Sequence, residues 1–140
     1  MEQLSVDATR RLENRHAMEA FMSAVGTGDF ALLETICQPD FVAELPYSDP
    51  PQRLEGFPAY RAAVAPSLEV FRFSLTLSAV HPCLDPDLLV AEYTSDGIAT
   101  PTGKVYRNVY IGVWGFREGR IASLREFFNP VRATEALRPE

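Results

Sequence analysis

The second half of this chain reads as strand after strand with no helical stretch between, and that pattern excludes most folds. From Arg72 to Ser78 the residues alternate, with Phe73, Leu75 and Leu77 on one face and Ser74, Thr76 and Ser78 on the other. Asp85-Pro86-Asp87 is a turn, and Leu88–Thr94 is the next strand. A loop around Gly97 to Gly103 leads into a long strand, Lys104–Phe116. The Arg117-Glu118-Gly119 turn is tight, so Ile121–Phe128 returns antiparallel. Strands joined by short turns form an antiparallel meander. They leave no βαβ repetition from which to build a doubly wound dinucleotide-binding sheet.

The first half reads differently. Leu12, Met18, Phe21, Met22 and Val25 recur at helical spacing and predict a helix over 5–25, with Ser5 as a cap and Gly26 just past its end. Asp29 is the expected N-cap of a second, short helix carrying Phe30, Leu32, Leu33 and Ile36. Cys37 ends that apolar pattern, and Pro39 stops the helix. Phe41 to Leu45 is a short strand, followed by a proline-rich loop, 46–51, around Tyr47. Gly56 opens a third helix with Pro58 in its first turn; Pro66 kinks or ends it, so its firm part is 57–65. Ala133–Leu137 forms a last helical turn. The plan is α+β, one domain spanning 1–140.

Composition narrows the function classes. A 140-residue chain can bury a core without disulfide or metal staples. The net charge is -6 and the basic residues are scattered, so nucleic acid is not an expected partner. No apolar run is long enough to cross a bilayer, and the N-terminus lacks the long apolar stretch of a signal peptide. The expected location is therefore the cytoplasm, with no membrane partner and with Cys37 and Cys83 as free thiols. Lys104, the only lysine, sits beside a hairpin turn, a poor place for Schiff-base chemistry. His16 and His81 are far apart in sequence and no glycine-rich phosphate loop or serine elbow occurs. Neither a metal nor a cofactor is expected.

Several stretches carry a family resemblance: Asp85-Pro86-Asp87 through Val90-Ala91-Glu92-Tyr93, then Gly103, Tyr106-Arg107-Asn108 and Tyr110-Ile111, then Gly119-Arg120-Ile121 and Arg125-Glu126-Phe127-Phe128-Asn129-Pro130. A weaker match covers Phe41–Leu45 and Glu55-Gly56 with the helix that follows. Together they resemble the SnoaL-like branch of the nuclear transport factor 2-like superfamily, which includes ketosteroid isomerases, and within it the small proteins of phenazine biosynthesis. The resemblance implies a cone-shaped fold, with three N-terminal helices packed on a strongly curved, mostly antiparallel sheet enclosing a pocket. It also implies a homodimer paired through the outer face of the sheet, and carboxylates in the cavity that move protons or polarise a substrate.

Glu126 is the first candidate catalytic residue. It interrupts the apolar run Leu124-Arg125-Glu126-Phe127-Phe128. In the phenazine relatives the glutamate of the matching Arg-Glu-Phe-x-Asn-Pro motif lies in the cavity as a proposed proton donor. A carboxyl in an apolar cavity has a raised pKa suited to acid–base work. The other reading pairs Glu126 with a neighbouring arginine such as Arg107. The phenazine relatives also carry a pocket histidine on the third helix; that position here is Ala63, so His81, in a loop before Pro82, is a candidate replacement and equally a surface residue. Glu44, within Phe41-Val42-Ala43, is the second carboxylate candidate, or an exposed edge-strand glutamate. Glu92 is a candidate partner for Arg107 or Arg125.

The substrate-binding candidates are aromatic and amide side chains. Tyr106, Asn108 and Tyr110 share one face of their strand, which either orients a substrate oxygen or packs at a dimer face. Tyr47 and Tyr60 are further pocket candidates. The leading expectation is a cofactor-independent isomerase, cyclase or dehydratase. Its substrate would be a small hydrophobic oxygenated metabolite of polyketide-like, terpenoid or aromatic type. The alternatives are a non-catalytic binder of such a molecule and a dimeric scaffold with a filled cone.

Overall fold

The computed structural model describes residues 2–140, with side chains from residue 6 onward, so the expected Ser5 cap lies outside the described side chains. Helices α1 (Glu2–Thr27) and α2 (Phe30–Ile36) come first, then strands β1 (Cys37–Leu45) and β2 (Gln52–Glu55). Helix α3 (Phe57–Val70) leads into β3 (Phe71–Pro82), β4 (Leu88–Ala99), β5 (Val105–Arg117) and β6 (Arg120–Phe128), and α4 (Pro130–Leu137) ends the chain. One sheet has the order β2-β1-β6-β5-β4-β3. Every neighbouring pair is antiparallel except β1 and β6, which run parallel. The α+β class therefore stands, with a fourth helix longer than the expected turn.

The periodicity explains the layering. In β5, Tyr106, Asn108, Tyr110, Trp114 and Phe116 are buried, whereas Arg107, Val109 and Ile111 are exposed. The buried faces of β4, β5 and β6 meet α1, α2 and α3 in one core, which includes Met18, Phe21, Leu33, Phe41, Trp114, Ile121 and Leu124. At the other end α4 covers the same face, setting Ala136 against Ala99 and Tyr106. Asn14 of α1 is fully buried, and its amide donates to Pro86 O and Asp87 Oδ1 at 3.0 Å, tying the β3–β4 turn to the helix.

Local signals hold at the caps and turns. Asp29 Oδ1 accepts from Leu32 N at 3.1 Å. Glu118 and Gly119 both have positive φ, 54° and 76°, which gives the β5–β6 hairpin a two-residue turn that matches strand twist.

Other boundaries moved. Pro66 lies inside α3, which continues to Val70. The hydrogen bond it removes would end on Ala62, and both residues are exposed, so water can serve that carbonyl. Cys37 caps the end of α2, its N–H donating to Leu33 O, and also opens β1, so the helix has already stopped when Pro39 follows within the strand. Leu12, expected on the buried stripe of α1, is 55% exposed. Strand β2 has no sequence signal because Gln52, Arg53 and Glu55 are exposed and only Leu54 faces inward.

Strand β3 runs on past Ser78, where a bulge shifts the register between Leu77 and Ala79. His81 is therefore a strand residue opposite Val90, not a loop residue. Strand β4 extends through Gly97, so the loop expected from there to Gly103 begins only after Ala99.

Among the described residues, no helix is long and apolar enough to cross a membrane. Cys37 and Cys83 are free thiols; burial pushes the Cys37 thiol up to about 12, partly opposed by the charge of Arg120.

Candidate active site

Glu126 stands on the inner face of β6, opposite Gly112 of β5. The Tyr93 hydroxyl of β4 donates a hydrogen bond to Glu126 Oε2. The two side chains thus meet across the intervening strand, and Gly112 is what lets them. A Cβ at Gly112 would lie 2.7 Å from the Tyr93 hydroxyl and 2.5 Å from Trp114 Nε1, closer than real side chains pack.

The surroundings are aromatic. Tyr93 stacks on Tyr110 with centroids 5.2 Å apart and planes at 12°. Phe21 meets Trp114 edge-on at 5.1 Å, and Phe41 meets Tyr60 edge-on at 5.2 Å. Desolvation raises the Glu126 carboxyl above the ordinary glutamate value, and the Tyr93 hydrogen bond partly opposes that rise. Burial likewise raises Tyr60, Tyr93 and Tyr110, and the negative charge of Glu126 adds to each. All three remain neutral phenols, able to donate, at any ordinary pH. The site is a carboxyl that holds its proton longer than usual, set among hydroxyl donors in a low-dielectric interior.

The other candidates sort by strand face. Tyr60 of α3 lies in the core, near enough to feel the charge of Glu126, and one helical turn before Ala63. Glu44 pairs across β1–β6 with Arg125, on the opposite face, where it contacts Arg53 Nη1 at 3.2 Å and Arg125 Nη2 at 3.6 Å. It is not an edge residue, because β2 flanks β1 on its outer side. His81 Nε2 meets Glu92 Oε2 at 2.6 Å, also on the outer face, with both side chains about half exposed. The structure brings neither Glu44 nor His81 to Glu126. Arg107 pairs with Asp96 at 3.0 Å, so it is neither the partner of Glu126 nor that of Glu92.

Asn108 is 1% exposed, and its amide is used up inside the protein. Its Nδ2 donates to the Tyr106 hydroxyl and Asn129 O, at 2.8 and 2.9 Å, and its Oδ1 accepts from Val109 N and Asn129 N. Tyr110 donates to Ser95 Oγ at 3.0 Å and sits 3.1 Å from the Tyr106 hydroxyl. This network seats the start of α4.

Tyr47 is exposed and packs edge-on against Phe127 at 5.4 Å. Both line a broad concavity of about 780 Å³ with Glu92, Thr94, Val109 and Ile111 of the outer face, and Tyr93 and Tyr110 also border it. Glu126 is not on its wall. Sequence reasoning missed Tyr93 and Trp114 as site residues. The signal for Tyr93 was its place between Ala91 and Ser95 on the inward parity of β4.

A curved, mostly antiparallel sheet closed by helices is the nuclear transport factor 2-like fold, shared with a protein of that type from Burkholderia thailandensis at a TM-score of 0.75 and 17% identity, over 90% of this chain and 98% of that one. Within that class, the chain belongs to the SnoaL-like domain family, whose sequence profile matches residues 18–124. It is 35% identical over 105 residues to an uncharacterised PhzA/B-like protein of Pseudomonas aeruginosa, covering 71% of this chain and 72% of the relative. The crystal structure of a candidate isomerase from Bacillus subtilis matches it with a TM-score of 0.83 at 28% identity, over 91% of this chain and 94% of that one. A phenazine biosynthesis-related protein from Pseudomonas aeruginosa shares the fold, with a TM-score of 0.81 at 20% identity over 98% and 92% of the two chains.

Proposed function

We propose that this protein is a cofactor-independent acid–base enzyme, an isomerase, cyclase or dehydratase acting on a small hydrophobic oxygenated molecule in cytoplasmic secondary metabolism. The Glu126–Tyr93 pair carries the reading: a desolvated carboxyl held by a phenol inside an aromatic core. Ionised Glu126 takes a proton from carbon next to a carbonyl. The carboxylic acid so formed can donate to the Tyr93 oxygen, which frees the Tyr93 hydroxyl to face the developing enolate. Return of the proton to another carbon gives isomerisation; attack of the enolate on a second carbonyl gives ring closure. The candidate-isomerase assignment of the Bacillus subtilis relative agrees with this class.

The test is hydrogen–deuterium exchange at the α-carbons of a panel of cyclic enolisable ketones, followed by NMR. The wild-type chain accelerates exchange of at least one ketone over buffer, and Glu126→Gln abolishes that gain. Equal exchange by the two proteins would sink the proposal.

A second reading, a binding protein or scaffold, draws on one observation. The rings of Phe21, Phe41, Tyr60 and Trp114 pack closely in the core that Glu126 faces. Tight binding of a hydrophobic ligand without exchange would favour it.

The homodimer belongs to the same proposal. Val109 and Ile111 leave 47% and 45% of their surface exposed on the outer face of β5, where a second copy would cover them.

A further inference from the structure

Among the described residues two buried side-chain polar atoms lack a partner, Asn14 Oδ1 beside the β3–β4 turn and the indole nitrogen of Trp114, and only the indole lies beside Glu126. Trp114 is 1% exposed, and Nε1 has no hydrogen-bond acceptor. Native cores seldom leave such a donor unpaired without a functional reason. Its direction is informative: Nε1 lies 2.5 Å from where a Cβ on Gly112 would stand, and the Tyr93 hydroxyl lies 2.7 Å from the same point. Opposite Gly112 on β6 is Glu126, already bonded to Tyr93. One committed donor, one free donor and a carboxyl thus converge over a backbone position that has no side chain.

We propose that Trp114 Nε1–H binds an oxygen of the ligand, a carbonyl or phenolic oxygen on a flat conjugated molecule, and so sets which atom faces Glu126. This rests on the acid–base reading of Glu126 and adds the group that orients the substrate. Tyr93 alone cannot hold the substrate oxygen while Glu126 is ionised, because its proton is then committed to the carboxylate. A second donor whose hydrogen stays put meets that need, and an indole N–H is donor only. The conjugated character follows from the neighbours of the indole: Phe21 meets it edge-on at 5.1 Å and Tyr93, stacked on Tyr110, lies 6.2 Å away, so an aromatic ligand would find aromatic partners.

Trp114 is the only tryptophan in the chain, so a single indole N–H resonance reports on the site. The full chain, labelled with nitrogen-15, is titrated with 2-naphthol as the aromatic oxygen probe. The indole proton is expected to move downfield to saturation, and Trp114→Phe to weaken naphthol binding about tenfold, the loss of one ordinary hydrogen bond. Saturable binding with the indole signal unmoved, as binding in the outer concavity would give, overturns the inference and leaves the acid–base reading intact. Absence of saturable binding also overturns it, and ketone exchange then decides the role of Glu126 separately. If Trp114→Phe does not fold, the wild-type titration alone is decisive.

Discussion

Tyr93 and Glu126 belong to strands that are not paired, β4 and β6, yet the phenol reaches the carboxylate over Gly112 of the strand between them. The contact makes the chemistry of one strand depend on the absence of a side chain on another.

Gly112→Ala tests that dependence. The added methyl would collide with the Tyr93 hydroxyl and with Trp114 Nε1, so one ring must leave its rotamer. Overpacking of this kind costs about 1–3 kcal/mol. Urea unfolding should show that loss, and the Trp114 fluorescence of the folded state should shift.

Tyr93→Phe removes the one hydrogen bond that favours ionised Glu126. The Glu126 pKa should rise further above the ordinary value. Carbon-13 NMR of labelled glutamate side chains across a pH series would record it; an unchanged midpoint would contradict the geometry.

Burial makes the folded chain hold the Glu126 proton above the ordinary glutamate pKa of 4.5. The folded state then binds more protons than the unfolded one. The stability contributed by this carboxyl is fully present below pH 4.5 and is lost as pH rises through the folded value. Glu126→Gln escapes that loss and keeps an acceptor for Tyr93. It should therefore be more stable than wild type at about pH 8, with the difference closing at about pH 4, as read by urea midpoints.

Asn108→Ala leaves the amides of Val109 and Asn129 without their side-chain acceptor. A loss of about 2–4 kcal/mol is expected. Hydrogen exchange should show amides of α4 losing protection before those of α1.

Ile111→Lys places a charge on the exposed stripe of β5. Under the proposed homodimer, sedimentation should report a dimer for the wild type and a monomer for this variant, with little change in unfolding midpoint per chain beyond the loss of association.

The fold was legible because its signals are periodic or local: alternation in Phe73–Leu77, the Asp29 cap, the Glu118-Gly119 turn. The misreadings at His81 and at Glu44 share a cause, since each depended on residues distant in the chain. His81 looked like a loop residue next to Pro82, yet pairing with β4 extends the strand beneath it. Glu44 and Glu126 both interrupt apolar strands, and only the parallel register of β1 on β6 puts them on opposite faces. The inward-facing carboxyl of Glu126 could be named from its apolar neighbours. Its partner could not, because Tyr93 and Glu126 are 33 positions apart and face each other only once β5 lies between them.

The parallel pairing of β1 with β6 also sets when this chain can finish folding. Cys37, Val42, Ala43 and Glu44 find their partners at Ile121, Ser123, Leu124 and Arg125, near the end of the sequence. During synthesis the first strand must wait, with Phe41 and Ala43 uncovered on one side, until the last hairpin has emerged. The meander from β3 to β5 can assemble locally before then, so closure of the cone is the late, long-range step and the interval in which this protein is most exposed to aggregation.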